Sequence, residues 1–106
     1  MNLEPEQLVK EIKSRFDHAT QKKLLREKYH SKMTFAHRGG MWKAGPELIN
    51  ILTASLTHGQ QGLILPDLYG TPVMVDYKEL LTLAQQRWQE QMTAWHIEHE
   101  ELAKQR

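Results

Sequence analysis

Cysteine is absent from this 106-residue chain, proline and glycine number only four and six, and no apolar run exceeds a few residues. The lack of cysteine excludes disulfide staples and thiolate metal sites, so stability must come from packing and from association. The short apolar runs predict neither a signal peptide nor a membrane-spanning helix, and hence a protein of a cytosol or released from one. Also missing are the motifs that carry common chemistries: no GxGxxG follows a strand, no GxxxxGK precedes Ser or Thr, and no GxSxG elbow occurs. No catalytic residue, cofactor or metal is expected, and the predicted class is a non-enzymatic interaction protein.

What is present is an ordinary soluble composition, 40% hydrophobic and 25% charged, which implies one folded domain over 1–106 with a small core. The net charge of +1 hides an asymmetry. From Met1 to Ala44 there are ten Lys/Arg against five Asp/Glu, and from Gly45 to Arg106 four against eight. Halves of opposite sign can pair within a chain or between chains, or can present the basic half to an acidic partner.

Residues 4 to about 30 read as helical. Leu8, Ile12, Phe16 and Ala19 form one stripe, and Leu24, Leu25 and Tyr29 continue it after a phase shift that suggests a kink, or two helices meeting, near Thr20. Pro5 suits a first helical turn, with Glu4, Glu6 and Glu11 at the end that favours negative charge. Met33–His37 and Met41–Ala44 read as paired strands around Gly39-Gly40, since both central residues of a tight primed turn need positive φ. Pro46 opens a short helix with Leu48, Ile49, Leu52 and Leu56 inward, ending near His58-Gly59. A second hairpin follows around Tyr69-Gly70-Thr71, with Leu63, Leu65, Val73 and Val75 inward and Pro66 and Pro72 limiting which edges can pair. The predicted class is α+β in the order α-ββ-α-ββ-α, with a mixed sheet of about four strands.

Asp76 should cap the final helix, with Glu79 as its capping-box partner. From there to Arg106 the chain has no glycine or proline, enough for a helix of roughly 40 Å. A compact domain of this size has a radius of gyration near 13 Å, so the distal half, 88–106, is expected to project as an interaction helix. Its stripe of Trp88, Met92, Trp95, His99 and Leu102 is the predicted partner interface, because aromatic and Met anchors concentrate binding energy. Burial of the two tryptophans by the N-terminal helix is the competing expectation.

Two further constellations stand out. Lys22, Lys23, Arg26, Lys28, Lys32, Arg38 and Lys43 are interleaved with Tyr29, Phe35 and Trp42, a texture that can contact an anion or nucleic acid. A solvated helix face and a core explain the same residues without a ligand. His37-Arg38 beside Gly39-Gly40 is a candidate anion contact on the same grounds. His96, His99 and Glu100 have a spacing that permits a metal but lack a further ligand, so an interfacial histidine pair is the simpler reading.

The order TFAHRGGMWKA, DLYGTPVMVDYKELL and WQEQMTAWHIEHEELAK resembles a group of small proteins encoded by T4-like tailed bacteriophages. The likeness rests on a His-x-Gly-Gly-x-aromatic hairpin, a Tyr-Gly-x-Pro-Val hairpin and a Trp-His pair in the last helix, and covers the chain from about Lys32 onward. It implies a minor virion or head-assembly component, located in the host cytoplasm during assembly or in the virion. The implied partners are further copies of the chain or phage structural proteins, with a host protein as an alternative. No residue role comes with the resemblance.

Overall fold

The computed structural model describes residues 4–104. The elements run α1 (Pro5–Lys32), β1 (Thr34–His37), β2 (Gly40–Lys43), α2 (Pro46–Thr57), β3 (Gly62–Pro66), β4 (Pro72–Asp76) and α3 (Tyr77–Lys104). The α+β class and the α-ββ-α-ββ-α order expected from the sequence are those observed. Helix α1 is one continuous element through Thr20, so two helices do not meet there. The polar stretch there changes which face of the helix is apolar, and leaves the backbone uninterrupted.

The strands do not join into one sheet. They form two separate antiparallel ribbons, β1 with β2 and β3 with β4. The physical reason lies at Met41. Its backbone N–H donates to Asp67 Oδ2 at 3.0 Å, and its carbonyl accepts from Leu68 N at 2.7 Å. The β3–β4 loop thus uses the outward groups of β2 that a third strand would need, while Pro66 and Pro72 close their own hairpin without N–H donors.

The first turn also departs from expectation. His37 pairs with Gly40, so the two central residues are Arg38 and Gly39, with φ of 54° and 80°. Gly40 is a strand residue, and its lack of a side chain answers a packing need. A Cβ there would lie 3.0 Å from Val73 Cγ2 and 3.3 Å from both Asp67 Cβ and Trp42 Cε2. The two ribbons approach each other at this point.

The core gathers Met33, Phe35, Trp42, Ala44, Leu52, Val73, Val75, Tyr77, Leu80 and Ala84. Trp42, Leu52 and Leu80 are wholly buried, each contributing about 1.5–3 kcal/mol of gross hydrophobic stabilisation. Leu48, Ile49, Leu56 and Leu65 pack on its margin as expected. Leu63 does not, being 70% exposed although Val75, its pair across the ribbon, lies in the core.

Asp76 Oδ1 accepts from Glu79 N at 3.0 Å, as a cap should. The Glu79 carboxylate turns elsewhere, to Arg38 at 3.3 Å and toward His37 Nε2 at 3.5 Å. The first hairpin's tip is therefore fastened to the start of α3. The assembled chain is long and thin, 65 × 23 × 19 Å with a radius of gyration of 20.1 Å, against about 13 Å for a compact domain of this length.

Candidate functional site

The expected interface lies along the distal half of α3, and α1 runs beside it. Arg87 Nη1 donates to the Lys32 carbonyl at 3.5 Å. One turn to two turns further on, the Trp95 ring stacks parallel to Tyr29 at 6.1 Å and meets His30 edge-on at 5.7 Å. Glu98 then accepts from Lys28 Nζ at 2.7 Å and from the Tyr29 hydroxyl. Beyond it, Glu101 and Leu102 line a groove of about 370 Å³ with Gln21, Leu24 and Leu25.

Every member of the predicted stripe is consequently half-buried within the chain: Trp88, Met92, Trp95, His99 and Leu102. Trp88 and Met92 pack against the core itself. The described part of 88–106 does not stand free, because the last turns of α1 cover it; positions 105 and 106 lie outside the described residues. The sequence pattern was sound as a burial stripe, and the same chain supplies the cover.

The Lys28–Tyr29–Glu98 group is the electrostatic clasp of this seam. Hydrogen bonds from Lys28 and then Tyr29 hold the Glu98 carboxyl below its ordinary range. The hydrogen bond to Glu98 is likewise the leading cause that raises both Lys28 and Tyr29 above theirs. Lys28 and Lys32 also sit over the Tyr29 ring at 5.2 and 5.3 Å, where its electron-rich face favours a cation. Here the basic first half and the acidic second half meet inside one chain.

The basic segment is divided by the fold. Lys22, Lys23 and Arg26 lie on α1, Arg38 in the first turn and Lys43 at the end of β2. Lys28 is engaged by Glu98 and Arg38 by Glu79. Tyr29, Phe35 and Trp42 are at most 8% exposed, so none of the three presents a ring on which a base can stack. Glu79 also occupies the His37-Arg38 corner considered for an anion. Among the described residues no three of His, Cys, Asp and Glu gather as a metal site, and no helix is long and apolar enough to cross a membrane.

What the stripe argument missed is at the other end of α1. Leu8, Val9, Ile12 and Phe16 are 47%, 64%, 59% and 69% exposed. Opposite the hairpins' core side, Ile64 and Met74 of the second ribbon are exposed as well. The signal for the first group was available, since the phase shift separates Leu8, Ile12 and Phe16 from Leu25 and Tyr29. No family model, curated protein or solved structure matches this chain.

Proposed function

We propose that the protein is a non-enzymatic assembly component of a tailed bacteriophage that works by docking onto other protein subunits. The observation that carries this reading is the uncovered apolar row on the projecting half of α1, about three turns of helix. Surfaces of this kind mark association sites. The tailed-phage assignment is supported by the order of the two hairpin motifs and the Trp-His helix described above. The Trp88–Leu102 stripe serves in this reading as the seam that holds α1 in place, and α1 does the docking. Quantitative mass spectrometry of purified particles and of assembly intermediates tests it. A fixed copy number in either supports the role, and absence from both refutes it.

A further inference from the structure

Helix α1 presents two apolar faces that point in different directions. The face turned to α3 carries Gln21, Leu25, Lys28 and Tyr29, on the contacts described above. The row Leu8, Ile12, Phe16 and Ala19 is elsewhere. At 3.6 residues per turn, Ile12 and Leu25 differ by about 140° around the axis. Lengthening α3 would therefore not cover the row. On the α3 side of the same segment stand Gln7, Glu11, Ser14 and His18, all polar. The overhang is about 14 residues, or roughly 21 Å, and its apolar side faces away from its own molecule.

The charge pattern says what fits there. The helix begins acidic, with Glu4 and Glu6, and turns basic after the row, with Lys22 and Lys23. The midpoint of the apolar row falls between Lys13 and Ser14, and the midpoint of Glu4 and Lys22 falls at Lys13. Two copies of α1 laid antiparallel about that point bring Leu8 against Ala19 and place Ile12 and Phe16 of the two copies within about one residue of the same level. The same register sets Glu4 within about one residue of the level of Lys22. These two lie 18 residues apart, which is five whole turns, so they share one flank of the row. In an antiparallel pair like flanks meet, and acid then faces base at both ends. A parallel pair would set Lys22 and Lys23 against their own copies.

We infer that the N-terminal half of α1 is a homodimer surface, pairing antiparallel with the same segment of a second copy through Leu8, Ile12 and Phe16. This names the first partner in the docking role proposed above and rests on that reading only for its biological use. Each dimer then carries its two core bodies at opposite ends, with the α1–α3 seams left outside the contact.

Sedimentation equilibrium on the full chain, from about 1 to 200 μM, tests the inference over the range of weak to moderate homodimers. The expected result is a mass approaching twice the 12.4 kDa of one chain. Ile12→Glu and Phe16→Glu should each weaken dimerisation by ~100-fold or more, since a charge would be buried without a partner. Neither should move the thermal melt at monomeric concentrations, because neither residue touches the core. The charge pair gives the orientation: Lys22→Glu weakens the dimer, and adding Glu4→Lys restores it. A monomer throughout the range overturns the inference, as does a dimer indifferent to Ile12→Glu. A dimer that charge reversal weakens but the reciprocal reversal does not restore overturns the antiparallel register. Incorporation into particles separates this from the proposed function. A dimer absent from particles sinks only the latter, and a monomer present in them sinks only the former.

Discussion

Gly40→Ala probes the point where the two ribbons touch. The added Cβ would sit 3.0 Å from Val73 Cγ2, with Asp67 Cβ and the Trp42 ring each 3.3 Å away. Gly40 is outside the left-handed region, unlike Gly39, so backbone strain does not enter. Val73 is 8% exposed and stiff at χ1, and Asp67 is held by three backbone N–H groups, of Met41, Tyr69 and Thr71. None of the three neighbours can give way cheaply. Overpacking of this kind costs about 1–3 kcal/mol, offset by about 0.4–1 kcal/mol from the lower entropy of the unfolded alanine chain. A net loss of about 1–2 kcal/mol is expected, which for a domain of this length lowers Tm by roughly 5–15 °C. Removing the obstructing methyl groups should relieve it. Val73→Ala destabilises on its own, and the double variant should be less damaged than the two single losses predict, by about 0.5 kcal/mol or more. Calorimetry of the four proteins in the cycle measures this. An unchanged Tm for Gly40→Ala, or strict additivity with Val73→Ala, would refute the account of how the ribbons are joined.

Trp88→Ala should lower stability by about 2 kcal/mol, less than for a fully buried tryptophan, because Trp88 packs on the core; a chain that melts like the wild type while losing only association would contradict this. Glu98→Gln should remove an acid-dependent part of stability. Because the Glu98 carboxyl is held below its ordinary range, its contribution is complete above the unfolded value and lost as pH falls through the folded one. Urea midpoints of the two proteins should therefore differ at pH 7 and converge as the medium becomes strongly acidic. At the other end of the scale, Lys28 and Tyr29 are raised above 10.5 and 10.0. Their contributions are complete below those values and fade as pH rises through the folded ones, which absorbance of the Tyr29 phenolate can follow.

The order of elements was legible because each boundary carries its own chemistry. Pro5 and Pro46 open helices, Asp76 caps α3, and alternation marks the strands. The Gly39-Gly40 pair was read correctly as a hairpin and incorrectly in detail, because sequence does not distinguish a glycine needed for φ from one needed for space. Arg38 takes the left-handed position that the pattern assigned to glycine, while Gly40 makes room for Val73. The separation of the ribbons was hidden for a similar reason. It depends on Asp67 reaching Met41 across 26 positions of chain, and no local pattern announces an aspartate that caps another hairpin's edge.

The projecting element was misassigned for a different physical cause. Counting the length of α3 against the size of a compact domain shows that some helix must overhang, and leaves open which one. Both α1 and α3 have 28 residues, so length cannot decide. The point of departure from the core does. Helix α3 is still buried at Ala84 and meets Lys32 at Arg87, whereas α1 is buried only at Tyr29, near its end. Running antiparallel from that junction, α3 reaches Leu24 and Leu25 with Leu102 and ends at Lys104. The apolar row Leu8, Ile12 and Phe16 is then left exposed. The phase shift in its apolar pattern is the trace of that boundary: residues after it are patterned for α3, and residues before it for a surface outside the chain.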